Sequence, residues 1–108
     1  MVSVMAQFDV YPNPSSSAKQ GMPYVVVVQS DLLESLATRL VIPLASQEAA
    51  DKTPEKLSPT ITVKGQSLRA LAHYAAPLPK RELRKALGNV SAQSGALIAA
   101  MDVVLSGV

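Results

Sequence analysis

Two apolar runs joined by a short connection decide the fold of this chain: residues 24–29 read Tyr-Val-Val-Val-Val-Gln, and residues 39–44 read Arg-Leu-Val-Ile-Pro-Leu. β-Branched side chains lose χ1 freedom in a helix and pack well on a pleated surface, so both runs predict strands. Four consecutive valines predict burial on both faces of the first strand. Because Pro43 has no N–H to donate to a ladder, we expect it at an edge, an end or a bulge of the second strand.

Three further segments predict strands around this pair. Residues 7–11 alternate polar and apolar side chains, as a half-buried strand does. Residues 60–63 and 67–71 flank Lys64-Gly65-Gln66, which indicates a hairpin in which glycine supplies the positive φ. The pattern therefore predicts about five strands.

The segments between these strands are predicted to be irregular. Pro12–Ser17 is expected to be a loop, and Ala45–Pro59 a loop with a short helical turn, since proline and small polar residues favour turns. Pro77 and Pro79 are expected to interrupt the chain, and Arg81–Leu87 to form one or two helical turns.

The chain ends in an apolar segment that starts at Gly95 and carries a single charge, at Asp102. Its large apolar residues recur at helical spacing, which predicts a docked helix whose last residues are a working surface: Leu97, Ile98, Met101, Val104, Leu105 and Val108. Asn89 or Ser91 is expected to cap this helix. Without βαβ alternation the sheet should be antiparallel, so the predicted fold is mainly β, a small barrel-like sheet with one C-terminal helix.

Composition limits the classes of function. The 108 residues are expected to form one domain over Met5–Val108, with Met1–Val4 as an N-terminal extension. The absence of cysteine excludes disulfides and thiolate catalysis and fits a reducing cytoplasm. No secretory signal is visible, and the last apolar stretch is shorter than the ~20 residues that a bilayer needs, so we expect no membrane association.

No catalytic constellation is recognisable. His73 is the single histidine, and no motif surrounds it. The carboxylates are scattered, and the sequence holds no phosphate-binding glycine loop or calcium loop. We therefore predict a binding protein rather than an enzyme, with no catalytic residues, no metal and no cofactor.

Two groups of residues are candidates for contacts with a partner. Leu32 and Leu33 lie in the connection Ser30–Glu34, where they either mark a contact site or cap the core. The basic residues Lys80, Arg81, Arg84 and Lys85 either attract an acidic partner or nucleic acid, or form a solvated face.

Several blocks of the chain resemble the CcdB toxins of bacterial toxin–antitoxin modules. The blocks are Gln7-Phe8-Asp9-Val10-Tyr11, Val28-Gln29-Ser30-Asp31-Leu32-Leu33, Leu40-Val41-Ile42-Pro43-Leu44-Ala45, and Pro59 through Arg69 with Gly65 and Ser67. The final Gly107-Val108 is similar to the Gly-Ile end of the family. The resemblance runs from Gln7 to Val108 and is weaker in residues 12–21 and 80–94.

The resemblance implies an SH3-like antiparallel β-barrel with a C-terminal helix, assembled as a homodimer. It implies a toxin that binds the A subunit of DNA gyrase and traps the complex holding cleaved DNA. It also implies a cognate antitoxin whose disordered segment folds on the toxin. The two together repress their operon, and DNA is contacted only through the antitoxin.

Carried over position by position, the resemblance implies seven gyrase-facing residues: Leu32, Leu33, Asp102, Leu105, Ser106, Gly107 and Val108. Four of them depart from the family pattern: Leu105, Ser106 and Val108 at the end of the chain, and Asp102. The family usually ends in Phe-Trp-Gly-Ile, and its tryptophan stacks on an arginine of gyrase, a contact that contributes about 0.5–2 kcal/mol per copy. Here Ser106 stands at that position, and Asp102 stands where asparagine is expected.

Three hypotheses follow from these residues. The first is a gyrase-poisoning toxin. The second is a non-poisoning homologue that keeps the dimer and the antitoxin groove but has lost or changed its target. The third is a small barrel that binds nucleic acid through its basic run.

Overall fold

The computed structural model describes residues 5–15 and 21–107. The predicted extension Met1–Val4, the end of the predicted loop at Ser16 and Ser17, and Val108 lie outside the described residues. The regular elements are β1 (Asp9–Pro12), β2 (Tyr24–Val27), β3 (Thr38–Ala45), β4 (Thr60–Val63), β5 (Gln66–Ala70), β6 (Ala76–Pro79), β7 (Gly88–Asn89) and α1 (Ser94–Ser106).

The strands form one antiparallel sheet in the order β4-β5-β3-β2-β1-β7, with β6 also paired to β3. The long strand β3 has two partners on one side. Its first half pairs with β6, and Leu44 and Ala45 pair with β5. The sheet curls into a nearly closed barrel, so the predicted mainly β fold with one C-terminal helix is confirmed.

The valine run of β2 is buried on both faces, as predicted. Val26 packs with Val10 and Ile42 in the core beneath α1. Val25 and Val27 point the other way, into a second cluster. This alternation follows from the two-residue period of a strand. The hairpin between β4 and β5 is also confirmed, with Lys64 and Gly65 both at positive φ in its turn.

Pro43 lies inside β3 rather than at an edge, an end or a bulge. The pairing of β3 with β6 ends at Val41, and its pairing with β5 begins at Leu44. Pro43 therefore falls in the gap between two partner strands. Its carbonyl still accepts a hydrogen bond from the N–H of Leu71 at 2.9 Å. The missing N–H is tolerated in a central strand because the ladder is interrupted there.

Pro77 and Pro79 do not interrupt the chain but lie in strand β6. The N–H of Lys80 donates to Ala37 at 2.9 Å, so the even-numbered residues direct their N–H groups toward β3. The nitrogens of the two prolines therefore face the free edge, where no donor is needed. With β6 and the two-residue β7, the described part of the chain has seven strands rather than about five.

Two helical predictions near the C-terminus are wrong. Within Arg81–Leu87 only the end of a 3₁₀ turn, Lys80–Glu82, is helical. The predicted cap is also absent: α1 follows Gln93 without a side-chain capping bond. Asn89 instead accepts from the N–H of Ser91 at 2.9 Å, at the start of a separate 3₁₀ turn.

The helix α1 docks on the sheet through Leu97 and Ala100, both buried. The Gln93 side chain fixes its start. Its amide accepts from the N–H of Thr62 and donates to the carbonyl of Thr62, each at 2.9 Å. Since β4 is the outermost strand, this amide occupies the place that a neighbouring strand would take.

Candidate functional site

The loop between β2 and β3, residues 30–37, is the most exposed apolar segment of the described chain; we call it the leucine loop. Leu32 is 92% exposed, Leu33 47% and Leu36 48%. A core-capping role is therefore wrong for Leu32, whose side chain lies in solvent. Exposed apolar side chains gathered on one short loop are typical of a contact surface.

Polar side chains at the start of the loop, Gln29 just before it and Ser30 and Asp31 within it, hold its first half in place. The Gln29 amide donates to the carbonyl of Thr38 at 3.1 Å and accepts from the N–H of Leu40 at 2.9 Å. The Ser30 hydroxyl accepts from the N–H of Leu32 at 3.1 Å. Asp31 accepts from the N–H of Gln7 at 2.8 Å. The Gln-Ser-Asp block therefore presents Leu32 on an ordered turn rather than a loose one.

Arg39 holds the second half of the loop. Its guanidinium donates to the carbonyls of Glu34 at 2.8 Å, Leu36 at 2.7 Å and Thr38 at 2.9 Å, and the residue is 5% exposed. Hydrogen bonds from a charged donor are stronger than neutral ones. The loop is thus fixed at both ends, which lowers the entropy lost when its leucines are buried by a partner.

The last three turns of α1 carry the second part of the site. Ile98, Asp102 and Leu105 follow each other at i, i+4 and i+7, so they lie on one stripe of the helix. All three are exposed, Ile98 by 52% and Leu105 by 78%. The apolar residues of α1 therefore serve two faces, one docked on the sheet and one open to a partner.

The end of α1 is shaped by its cap. Gly107 has φ 74° and its N–H donates to the carbonyl of Val103 at 2.8 Å, a left-handed helix end that favours glycine. The Ser106 hydroxyl donates back to the carbonyl of Asp102 at 2.6 Å. The side chain at the family's tryptophan position is thus folded onto its own helix. Val108 lies outside the described residues.

An apolar groove joins the helix to the strands that carry the leucine loop. It encloses about 210 Å³ between α1, through Leu97, Ile98, Met101 and Asp102, and the sheet, through Val28 and Leu40. Val28 immediately precedes the Gln-Ser-Asp block. Of the predicted site residues, Asp102 thus lines the same groove as Val28 and Leu40, which lie on either side of the leucine loop in the sequence.

The basic run lies elsewhere, on the face of the sheet turned away from α1. Lys80, Arg81 and Lys85 line a cavity of about 530 Å³, and Arg39 joins them. Arg84 does not line it. The structure therefore gathers three of the four predicted basic residues and adds a fourth that the sequence pattern did not indicate.

Other features of the described residues are simpler. His73 is exposed and contacts the Tyr74 ring edge-on, with centroids 4.5 Å apart. Within residues 5–15 and 21–107, His and the carboxylates form no cluster of three or more that could hold a metal ion. No helix in this part of the chain has the length and apolarity needed to cross a membrane.

Sequence reasoning missed Arg39 and Ile98 as parts of the site. The helical pattern places Ile98 among the docked apolar residues, although its i+4 and i+7 spacing to Asp102 and Leu105 is visible in the sequence. Arg39 carries no usable signal, because its role depends on carbonyls brought together by the loop.

A family model described as CcdB protein matches residues 7–107 of the chain. None of the curated protein sequences compared with the chain is a match.

Proposed function

Because this chain belongs to the CcdB family, we propose that it is the toxin of a toxin–antitoxin module that binds the A subunit of DNA gyrase. Bound there, it traps the complex that holds cleaved DNA, and it acts by binding rather than by catalysis. The observation that carries this proposal is the exposure of Leu32 on a loop fixed by side-chain hydrogen bonds at both ends. A domain that orders an exposed leucine in this way presents it to a partner.

The second half of the proposed gyrase surface is the C-terminal end of the stripe on α1, Asp102 and Leu105, continued by Ser106, Gly107 and Val108. We propose a homodimer in which two copies place these stripes beside a two-fold axis, since a symmetric interface uses the same patch twice. A cognate antitoxin would neutralise the dimer, and the two would repress their operon through the DNA contacts of the antitoxin.

Induction of the chain in bacteria that lack an antitoxin tests the proposal. The wild type should arrest growth, and purified protein should convert supercoiled DNA to linear DNA in a gyrase reaction stopped with detergent and protease. Leu32→Ser should lose this product, because it removes an apolar side chain that only a partner buries. Tyr74→Ser, which removes an exposed apolar side chain outside the leucine loop and α1, is the control and should keep it. Normal growth with no linear DNA from the wild type would contradict the proposal.

A non-poisoning homologue is the second candidate, and Ser106 favours it. The serine hydroxyl is bonded to its own helix and offers no aromatic face. Ser106→Trp should then tighten binding to the gyrase target by about 2- to 30-fold, equivalent to about 0.5–2 kcal/mol. Surface plasmon resonance with the immobilised A subunit of gyrase measures this gain, with Ser106→Leu as the apolar control. If the tryptophan variant binds no more tightly than the leucine variant, the missing ring is not what separates this chain from a poison.

A further inference from the structure

The side chain of Asn89, on the short strand β7, makes three hydrogen bonds although the residue is exposed. Its amide nitrogen donates to the carbonyl of Gln7 at 3.0 Å and to the Asp9 carboxylate at 2.9 Å. Its amide oxygen accepts from the N–H of Ser91, also at 2.9 Å. The side chain therefore links the chain around the start of β1 to the 3₁₀ turn that precedes α1.

Gln7, which accepts the bond from Asn89, also contacts the leucine loop. Its N–H donates to the carboxylate of Asp31 at 2.8 Å, and its side-chain amide donates to the carbonyl of Val28 at 3.0 Å. Asp31 directly precedes Leu32, and Val28 lines the apolar groove beside α1. The residue that Asn89 holds is thus bonded to the chain just before the exposed leucine.

The backbone next to these bonds is in an unfavourable conformation. Phe8 has φ 70°, in the left-handed region that a bulky side chain rarely adopts. Such a conformation persists only where the surrounding structure holds it, and such residues cluster at binding sites. The Phe8 N–H donates to the carbonyl of Val27 at 2.6 Å, and its carbonyl accepts from the N–H of Val90 at 2.9 Å. Because Val90 follows Asn89, one short segment holds both Gln7 and Phe8.

We propose that Asn89 is a positioning residue that holds the leucine loop in the geometry its partner binds. The inference rests on the proposed function, in which Leu32 contacts gyrase. Without the Asn89 donor, the carbonyl of Gln7 loses its partner, and the turn at Gln7 no longer holds its N–H against Asp31. A loop that is less ordered before binding loses more entropy when a partner buries its leucines, so binding weakens. Arg39 would still hold the second half of the loop.

Asn89→Asp tests the inference, because it keeps the oxygen that accepts from Ser91 but removes the donor toward Gln7. Water-exchange NMR of the full chain follows the amide protons of Gln7 and Leu32, which are bonded to the side chains of the loop. Both should exchange at least about threefold faster in the variant, since the bonds that protect them open more often. Asn89→Ala, which removes the same donor without adding a charge, should change both rates in the same direction.

Gln66→Glu is the matched control, since it replaces an exposed amide by a carboxylate on another strand, β5. It should leave the exchange of Gln7 and Leu32 as it is in the wild type. The amides of Val26 and Ile42, which lie opposite each other in the core, should keep their exchange rates in all variants. In surface plasmon resonance with the immobilised A subunit of gyrase, both Asn89 variants should bind about 3- to 10-fold more weakly than the wild type and the control.

Three results would overturn the proposal. Unchanged exchange of Gln7 and Leu32 in both Asn89 variants would show that Asn89 does not hold the loop. Equally faster exchange of Val26 and Ile42 would show that it stabilises the whole fold instead. Faster exchange of the loop with unchanged gyrase affinity would show that the order of the loop has no effect on the partner. A wild type that does not bind gyrase contradicts the proposed function, and the exchange rates alone then decide whether Asn89 positions the loop.

Discussion

The phenol of Tyr11 connects the buried face of the sheet with the polar wall of the basic cavity. Burial of the ring raises the pKa of Tyr11 above its ordinary value of about 10, and the Asp9 carboxylate raises it further by its charge and by its hydrogen bond. The Arg39 guanidinium opposes this shift. The protonated phenol is therefore the form that the folded chain favours.

The raised pKa of Tyr11 predicts a pH dependence of stability. Below about pH 9 the phenol is protonated in both the folded and the unfolded chain, so its contribution to the free energy of unfolding does not change with pH. Above about pH 10 the unfolded chain releases the proton before the folded chain does, so stability falls as the pH rises. Tyr11→Phe should flatten this part of the curve. Urea unfolding of wild type and variant between about pH 8 and 11 measures the difference.

The exposed Tyr74→Phe serves as the control, since its ring is about half exposed. It should leave the alkaline slope as it is in the wild type. If Tyr11→Phe and wild type lose stability in parallel above pH 10, the phenol is not the group responsible.

At the same scale, the exposed residues of the site were easier to predict than those that hold them. Leu32 lies in a predicted loop and Leu105 lies near the end of the chain. The sequence pattern therefore does not assign either residue to the core. Arg39 and Gln29 act through backbone carbonyls and N–H groups of the leucine loop. Such partners are fixed by the course of the chain in three dimensions, and no spacing in the sequence encodes them.

At the scale of elements, the start of α1 depends on one glutamine. Gln93 pairs with both backbone groups of Thr62 on the outermost strand. Gln93→Glu keeps the shape but replaces the donor by a carboxylate oxygen facing a carbonyl. We expect the free energy of unfolding to fall by about 1–3 kcal/mol, measured by urea denaturation.

Gln47→Glu is the matched control for this change, since Gln47 is exposed in a turn of the chain. It should shift the unfolding free energy by less than about 0.5 kcal/mol. A Gln93→Glu variant as stable as the control would show that the pairing contributes nothing to the docking of the helix.

Elements with strong apolar patterns were predicted well, and those that depend on pairing partners were not. The valine run, the hairpin at Gly65 and the C-terminal helix follow from side-chain period and glycine geometry. Strand β6 was missed because its two prolines normally end a strand, and only the one-sided pairing with β3 makes them compatible with it. The helical prediction over Arg81–Leu87 failed because Leu83 is the one buried residue of this segment. A single buried side chain anchors a loop and does not form the apolar face of a helix.

At the scale of the whole molecule, the open stripe of α1 predicts association of two copies. Burying Ile98 at a two-fold interface would remove apolar surface from water, whereas Ile98→Glu would place two carboxylates there. The wild type should sediment as a dimer, and its melting temperature should rise with protein concentration. Ile98→Glu should sediment as a monomer at about the same concentrations and lose the concentration dependence.

Ala92→Glu, which adds the same charge at an exposed position before the helix, should leave the dimer intact. Analytical ultracentrifugation of the three proteins distinguishes the outcomes. If the wild type remains monomeric at high concentration, the proposed two-fold arrangement of the gyrase surface is wrong.

The prolines of β6 also affect how the protein behaves when it is crowded among its own copies. A free strand edge normally offers alternating donors and acceptors, and a second edge can pair with them. Here Pro77 and Pro79 leave that edge with carbonyls but no N–H groups at those two positions. Along β6 an approaching strand would find carbonyl acceptors but no N–H donors, so its own carbonyls would be left without partners. The barrel thus carries a built-in barrier to edge-to-edge polymerisation, in a strand that sequence patterns alone mistake for a break.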